Sequence, residues 1–258
     1  MGAFDEIAED YNDEFTFSAI GQIQRQQVWS YVDRHFNLEG KDVLELNCGT
    51  GIDANEFEKR GAHVIATDGS KKMVELTQKR NQGKVEALHC TLQNIGKLPP
   101  KKYDLIFSNF GGINCLAPAD MKRFFAQLGA TLKSDGRLIL VIMPKECLWD
   151  QWYLRLKGIK NYKRRNTTKA VKVPVGKRMV NTWYYSPIDI ERFAQADFKN
   201  VGLKPIGLYV PPSYMNPFFE KRKALLSAFS MFDSMAAGVP FLAKYADHFL
   251  IELKAKNE

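Results

Sequence analysis

The stretch that decides the fold covers residues 41–70 and reads KDVLELNCGTGIDANEFEKRGAHVIATDGS. It opens with a short apolar run at 43–46, which is typical of a buried parallel strand. A turn with two glycines follows, and a helix is predicted from about residue 52 to residue 60. Gly61 ends this helix, because glycine adopts the left-handed cap conformation without a Cβ penalty. A second strand at 63–67 completes one β–α–β unit of about 30 residues.

The turn and the acid after the second strand carry the chemistry of this unit. Gly49 and Gly51 allow the backbone to pass close beneath a ligand, where a Cβ atom would collide. Asp68 ends the second strand 17 residues after Gly51. A carboxylate at that place can accept both hydroxyl groups of a ribose. The unit is therefore predicted to bind a nucleoside at the carboxyl ends of its strands.

Two kinds of nucleoside cofactor fit this geometry. Residues 49–54 match the dinucleotide fingerprint G-x-G-x-x-G/A. The strand before the turn, however, contains an acid, and the pattern Glu45-x-Asn47-x-Gly49-x-Gly51 resembles motif I of the class I S-adenosylmethionine (SAM) methyltransferases. The resemblance implies that Glu45 helps to hold the methionine end of SAM and that Asp68 binds its ribose. Asn47 replaces the first glycine of the motif, and asparagine tolerates positive φ better than most residues.

The same resemblance extends to other parts of the cofactor site. It places Gly69 and Met73 beside the adenine, and it implies backbone contacts to the adenine from Thr91 and Leu92. Relatives often carry an aspartate at the position of Thr91, so a side-chain contact is not expected there. The product of the reaction would be S-adenosylhomocysteine.

Two further segments resemble the family at the reacting end of the cofactor. Residues 103–114 are similar to motif IV, whose strand ends beside the transferred methyl group, so Asn109 and Phe110 are expected there. The N-terminal Tyr11 lies in a stretch similar to one that folds over the cofactor. It is a candidate to hydrogen-bond the methionine carboxylate, and Arg25 is a second candidate for the same anion.

The whole chain is expected to form one α/β domain, residues 1–258, with a helical cap at 1–36. The resemblance implies a Rossmann-like, doubly wound, seven-stranded and mostly parallel sheet, with helices on both faces and an antiparallel last strand. Two insertions, at about 145–186 and 211–247, are interpreted as a lid. Strands are predicted at residues 43–46, 63–67, 85–89, the first part of 103–114, 137–143, 203–210 and 248–253. Further helices are predicted at residues 71–82, 120–132, 187–196 and 218–235.

Most of the net charge of +8 comes from one segment. Residues 151–188 contain ten Lys/Arg and no acid, and the rest of the chain has 27 basic and 29 acidic residues. Such a segment is a solvated surface, a clamp for an anionic small molecule, or an RNA-binding surface in which aromatics stack on bases. RNA ranks below the small molecule, because no recognised RNA-binding domain accompanies the segment.

The composition of the two insertions predicts the character of the substrate. The first supplies cations and aromatics, and the second supplies an apolar wall, so the acceptor is predicted to be a small amphiphilic or anionic molecule. The candidate residues in the first insertion are Arg164, Arg165, Trp183 and Tyr184. Those in the second are Phe218, Phe219, Leu225, Phe229 and Met231.

Catalysis requires in-line alignment of a nucleophile with an activated methyl group. The sequence identifies no catalytic base, since all four histidines occupy places where structural roles are commoner. No metal site is predicted. A dinucleotide-dependent oxidoreductase and a non-catalytic SAM-binding protein are the alternatives outside the methyltransferases, and Glu45 and the antiparallel last strand disfavour the oxidoreductase.

The compartment is predicted from what the sequence lacks. The four cysteines are scattered without a C-x-x-C pair, which favours a reducing cytoplasm. The acidic start of the chain has no apolar core, so no targeting segment is expected. The longest clean apolar run, residues 138–143, is too short to span a bilayer. The oligomeric state is left open.

Overall fold

The computed structural model of the chain describes residues 3–8 and 17–256. Seven strands form one sheet in the order β3-β2-β1-β4-β5-β9-β8, and a separate hairpin joins β6 to β7. The first five strands of that sheet are parallel, whereas β9 runs antiparallel to both of its neighbours. This confirms the predicted doubly wound sheet with a reversed last strand. The strands are β1 (Asp42–Leu46), β2 (His63–Asp68), β3 (Glu86–His89), β4 (Tyr103–Ser108), β5 (Leu132–Ile142), β6 (Val171–Val175), β7 (Arg178–Thr182), β8 (Phe198–Ile206) and β9 (His248–Ala255).

Helices cover both faces of the sheet. In the described residues, they are α1 (Ala3–Ile7), α2 (Ala19–His35), α3 (Ile52–Lys59), α4 (Lys71–Asn81), α5 (Pro118–Thr131), α6 (Leu148–Leu156), α7 (Pro187–Ala194), α8 (Asn216–Phe219) and α9 (Lys223–Ala236). On one face, α5 and α7 pack on the sheet, and on the other face α2 and α3 do so. Burial of both faces explains why the central strands are almost continuously apolar.

Alternation along the strands divides the core into two layers. Leu44 and Leu46 of β1 point to the layer beneath α5 and α7, where they meet Leu138 and Leu140 of β5. Between them in sequence, Val43 and Ile139 point to the layer beneath α2 and α3. A strand residue faces the side opposite to that of its neighbours, so these apolar runs supply both layers at once.

Some element boundaries differ from those predicted. β5 begins at Leu132 instead of residue 137, because Leu132 already pairs with Tyr103 before a register shift in the ladder. β8 runs from Phe198 to Ile206, whereas a strand was predicted at 203–210. It begins five residues before the predicted start, since it pairs along the whole of β9. The helix predicted at 218–235 consists of two helices, α8 and α9, separated at residues 220–222.

The two insertions pack on each other and on α2. The first contains α6 and the β6–β7 hairpin, and the second contains α8 and α9. One face of α2 packs on the sheet layer through Val28 and Val32. Its N-terminal turn, at Ile20, packs on Phe219 and Leu226 from α8 and α9. The helix α2 therefore joins the second insertion to the sheet.

Candidate functional site

The turn after β1 has a run of left-handed backbone. Asn47 has φ of 47°, Gly49 has φ of 56° and Gly51 has φ of 76°. Gly51 is also the N-cap of α3, so the turn leads straight into a helix N-terminus. Such a turn exposes backbone N–H groups and the positive end of the helix dipole toward the carboxyl edge of the sheet. The predicted glycine turn is therefore present, and it leads into a helix at the carboxyl ends of the strands.

Helix α4 holds this turn from one side. The Thr77 hydroxyl donates to the Gly49 carbonyl over 2.9 Å, and Nε of Arg80 donates to the Thr50 carbonyl over 2.8 Å. A Cβ atom at Gly51 would lie 2.7 Å from Cγ2 of Thr77. The absence of a side chain at Gly51 therefore makes room for α4, in addition to allowing positive φ. The sequence motif did not indicate this packing role.

Asn47, which departs from the family motif, is integrated into the end of β4. Its Nδ2 donates to the Asn109 carbonyl over 3.0 Å, and its Oδ1 accepts from the Ser108 hydroxyl over 2.6 Å. A Cβ atom at Gly112 would lie 2.0 Å from Cγ of Asn47. Gly112 thus supplies the space that the Asn47 side chain occupies. The departure in motif I is matched by a glycine 65 positions later in the chain.

Asp68 is oriented by backbone groups on both of its oxygens. Oδ2 accepts from the Gly49 N–H over 2.9 Å, and Oδ1 accepts from the Ser70 N–H over 2.8 Å. Burial raises the pKa of Asp68, although these two N–H groups act in the opposite direction. A carboxylate oxygen has more than one acceptor position, so both oxygens can still accept a ribose hydroxyl.

Glu45 is a buried acid with an oxygen that nothing satisfies. Its residue is 1% exposed, and Oε2 has no hydrogen-bond partner among the described residues. Burial, reinforced by the nearby Asp53, raises the pKa of Glu45 well above its ordinary value. An unpartnered buried polar atom is unfavourable unless a ligand completes it. Glu45 therefore fits a site that a cationic or hydrogen-bonding group enters.

The predicted adenine residues gather where β2 and β3 end. Gly69 is exposed, and a Cβ atom on it would lie 3.5 Å from Cγ2 of Thr91. The Thr91 hydroxyl accepts from the side chain of Asn94, which is consistent with a backbone contact only, and Leu92 begins the 3-10 helix that follows. Met73 is in the first turn of α4 and is 2% exposed. Its contact with the adenine stays a prediction.

At the end of β4, Asn109 and Phe110 meet the N-terminal helix α2. Phe110 has φ of 43°, and its ring lies 4.9 Å from the guanidinium of Arg25. The Asn109 amide donates to Asp53 over 3.1 Å, and Asp53 also pairs with Arg25. The side chain of Asn109 thus positions α2 and α3. The charge of Arg25 is balanced by Asp53, which weakens its assignment as the anion site.

The N-terminal cap is described only in part. Tyr11 lies outside the described residues, so its role stays a prediction. The short helix α1 contacts α4 and the β6–β7 hairpin. Asp5 accepts from the Ser70 hydroxyl over 2.5 Å, and Glu6 pairs with Arg178 of the hairpin at 2.7 Å. These contacts place α1 next to the turn that follows Asp68.

Two predicted substrate residues, Arg164 and Arg165, are occupied by protein carboxylates. Arg164 forms two hydrogen bonds with Asp150, at 2.8 and 3.2 Å. Arg165 is 5% exposed. Its Nη2 lies 3.4 Å from Oδ1 of Asp247, and its Nε lies 3.3 Å from Oδ2 of Asp150, outside hydrogen-bond alignment. The charges of these two arginines are therefore paired with protein carboxylates and are not available to form the predicted anion clamp. The other eight Lys/Arg of residues 151–188 are exposed.

The aromatic candidates have different surroundings. Tyr184 is 4% exposed, and its ring lies 5.1 Å from the guanidinium of Arg165. Trp183 is held by its backbone carbonyl, which accepts from Asn114 over 2.6 Å. Phe229 packs 6.0 Å from the rings of both Trp149 and Phe219. Of the other residues in the predicted apolar wall, Phe219 is buried, whereas Phe218, Leu225 and Met231 are exposed.

The structure also brings His248 to the site, which sequence reasoning placed in a structural role. Its ring lies 5.3 Å from that of Phe110, in an edge-to-face arrangement. β9 is antiparallel, so its first residue lies at the edge where β4 and β5 end. The order of strands implied by the resemblance already contained this signal, because the start of a reversed strand shares an edge with its neighbours' ends.

Neither a membrane-spanning helix nor a metal-binding cluster of side chains occurs among residues 3–8 and 17–256. None of the helices found there is both long and apolar enough to cross a bilayer. The His, Cys, Asp and Glu side chains of this part of the chain form no group that would hold a metal ion.

The chain was then compared with known proteins. A family model for a methyltransferase domain matches residues 43–136. A demethylmenaquinone methyltransferase from Clavibacter sepedonicus is 27% identical over 141 residues, which is 53% of this chain and 55% of that protein. A ubiquinone biosynthesis O-methyltransferase from Nitrosospira multiformis is 34% identical over 79 residues, which is 30% of this chain and 33% of the relative. The aligned stretches thus span about a third to a half of these relatives.

Among solved structures, the complex of DhpI with SAH has a TM-score of 0.64 at 13% identity, covering 99% of this chain and 94% of that one. At this identity the likeness concerns the fold, and it extends over both insertions as well as the sheet.

Proposed function

We propose that this chain, which belongs to the class I SAM-dependent methyltransferases, binds SAM where β1, β2 and β4 end and transfers its methyl group to a small-molecule acceptor. The observation that carries the proposal is the buried Glu45, whose Oε2 lacks a partner among the described residues. Glu45 is on β1, next to the strand that ends in Asp68, whose two oxygens are already oriented by backbone N–H groups. A cationic or hydrogen-bond-donating group would complete Glu45, and the ammonium group of SAM is such a group.

Different residues would bind different parts of the cofactor. Asp68 would accept the ribose hydroxyls, and Glu45 would accept from the amino group of the methionine. The left-handed turn at residues 47–51 would approach the ligand with its backbone. Gly69, Met73, Thr91 and Leu92 would surround the adenine, and Asn109 and Phe110 would stand nearest the reacting end, with Tyr11 closing over it. When bound, the sulfonium supplies an activated methyl group, so these residues align the acceptor and exclude water.

The acceptor is proposed to be amphiphilic. The second insertion contributes an apolar cluster around Phe219 and Phe229. The relatives from Clavibacter and Nitrosospira are named for menaquinone and ubiquinone pathways, whose compounds combine a polar ring with an apolar chain. Arg165 supports this arrangement by joining the two insertions through Asp247, and Arg164 pairs with Asp150 within the first insertion, so neither is proposed as an anion clamp. Trp183 and Tyr184 would complete the wall beside the acceptor.

All four cysteines are free thiols, and Cys48 and Cys147 are buried. We propose the reducing cytoplasm as the compartment in which they stay so.

Thermal shift and calorimetry with SAM, SAH and NAD test the cofactor. SAM and SAH should raise the unfolding temperature by mass action and NAD should not. Stabilisation by NAD alone would contradict the proposal. Transfer of a radiolabelled methyl group from SAM would then be measured with an alkylated catechol and with bulk tRNA as acceptors. Label in the organic extract supports the small-molecule acceptor, whereas label in the RNA would transfer the assignment to the exposed basic residues of the first insertion.

A further inference from the structure

A carboxylate and an imidazole lie together where β9 begins. Asp247 immediately precedes β9, and His248 is its first residue. The imidazole contacts Phe110, which follows β4, edge-to-face at 5.3 Å. The pair therefore stands where β4 and β5 end, next to the residue expected beside the methyl group.

The two ring nitrogens of His248 have different surroundings. Nδ1 lies 3.3 Å from Oδ2 of Asp247 and is enclosed without an aligned hydrogen bond. The χ2 angle of histidine is broadly distributed, so a small ring rotation aligns Nδ1–H with the carboxylate. Nε2 has no hydrogen-bond partner among the described residues, and it is not among the enclosed atoms that lack one. Nε2 is therefore the nitrogen that a ligand can reach.

Asp247 is held so that it stays a carboxylate. Its Oδ2 accepts from Gln24 over 3.3 Å, and Nη2 of Arg165 lies 3.4 Å from its Oδ1. Burial acts to raise the pKa of Asp247, but His248 and Arg165 outweigh it and hold that pKa at about 2. A fixed anion at Nδ1 selects the tautomer that keeps its lone pair on Nε2.

We propose that His248 is the general base of this enzyme, that Asp247 is its positioning residue, and that the acceptor is a hydroxyl compound. The inference rests on the proposed methyl transfer. Nε2 removes the hydroxyl proton while an oxygen lone pair forms the O–CH₃ bond, and the electrons of the breaking S–CH₃ bond stay on sulfur. A carboxylate or thioether acceptor has no proton to lose, so a base would serve no purpose there.

Other charged groups surround the pair from each packed element. From α2, the Arg25 guanidinium stacks on Phe110 at 4.9 Å and pairs with Asp53. From the first insertion, Arg165 contacts Asp247, and its second carboxylate is Asp150. Arg165 is at Oδ1 of Asp247, whereas the imidazole is at its Oδ2, 3.3 Å from Nδ1, so Asp247 is the carboxylate that acts on the imidazole.

The first test replaces His248 by glutamine, which keeps a polar side chain but cannot act as a base. With radiolabelled SAM and an alkylated catechol, we expect His248→Gln to lose about 100-fold or more of the transfer rate. The acid limb of the pH–rate profile should disappear, and SAM affinity in calorimetry should stay within about twofold of that of wild type. His63→Gln is the matched control, since His63 is exposed at the start of β2, at the opposite edge of the sheet.

The outcomes separate the two proposals. If wild type fails to bind SAM, the proposed function fails. If His248→Gln binds SAM and transfers the methyl group at the wild-type rate and pH dependence, only the base is wrong.

A second readout does not depend on turnover or on the stability of His248→Gln. Nitrogen-15 NMR of the imidazoles reports which ring nitrogen carries the proton, and the chain has only four histidines to assign. In wild type at alkaline pH, His248 should carry its proton on Nδ1, and Asp247→Asn should shift the population toward the Nε2 tautomer. A wild-type proton on Nε2 would overturn the proposal, because the base would then be occupied.

Discussion

The β1–β4 half of the sheet, residues 42–108, and the two insertions differ in whether their buried charged groups have partners within the protein. In the β1–β4 half, the buried Glu45 keeps an oxygen without a partner among the described residues. In the insertions, the buried Arg165 lies between two carboxylates, Asp150 and Asp247. We propose that a ligand completes the first arrangement, whereas the second is complete without one. An abundance of basic residues in a segment therefore does not make their charges available to a substrate.

The largest effect is expected from the buried charge of the insertions. Arg165→Met should lower the free energy of unfolding by about 3–5 kcal/mol, because it leaves Asp247 and Asp150 without their shared cation. Arg164→Met is the matched neighbour, and it should lose about 1 kcal/mol or less, since the Arg164 side chain is 33% exposed. Urea unfolding compares the two. Equal losses would mean that burial does not distinguish these arginines.

The next effect tests how Asn47 is accommodated in the β1–β4 half. Gly112→Ala should lower the free energy of unfolding by about 2–3 kcal/mol, because the new Cβ overlaps the Asn47 side chain. Asn47→Gly, which restores the family pattern, should recover most of this loss in the double mutant. Additive losses in the double-mutant cycle would show that the two positions do not share this space.

Acid should destabilise the network of ion pairs around Asp247 in the insertions. The pKa of Asp247 is lowered to about 2 in the folded protein, so its ionised form stabilises the fold above the unfolded pKa. As the pH falls from about 4 toward 2, roughly 2 kcal/mol of stability should be lost. Denaturant midpoints at pH 5 and pH 2.5 measure this change in wild type. The loss of stability between pH 5 and pH 2.5 should be smaller in Asp247→Asn than in wild type.

The smallest effect on stability concerns Glu45 and has the opposite sign. Its pKa is raised in the folded protein, so its contribution is favourable below the unfolded pKa and is lost as the pH rises. At pH 7, Glu45→Gln should therefore stabilise the ligand-free protein, by roughly 1 kcal/mol. The same variant should bind SAM more weakly. A variant that loses stability without SAM would mean that the carboxylate is already compensated.

The same contrast explains what the sequence could predict. In the β1–β4 half, positive φ, a glycine at the turn and an acid at a strand end are requirements of single positions, so they can be recognised locally. Arg165 and Asp247 are 82 positions apart, and only the folded chain brings them together. The composition of 151–188 therefore suggested an anion clamp, which the ion pairs with Asp150 and Asp247 replace.

Asn47 and His248 show what could not be predicted from the sequence, the first in the β1–β4 half and the second beside the insertions. The tolerance of Asn47 for positive φ was predicted, but its dependence on Gly112 requires the packing of two loops. His248 was judged by its place at the start of a strand, which is most often structural. Its contact with Phe110 depends on β9 being reversed next to β5, a fact of topology that residue type does not carry.

Calorimetric titration of SAM into wild type, Asp68→Asn and Arg164→Gln tests most directly the claim that the β1–β4 half holds the cofactor and the insertions do not. Wild type and Arg164→Gln should bind SAM with the same affinity. Asp68→Asn, which keeps the shape but replaces an acceptor of the ribose, should bind at least about tenfold more weakly, a loss of roughly 1.4 kcal/mol or more. Unchanged affinity in Asp68→Asn, or a loss confined to Arg164→Gln, would contradict the account.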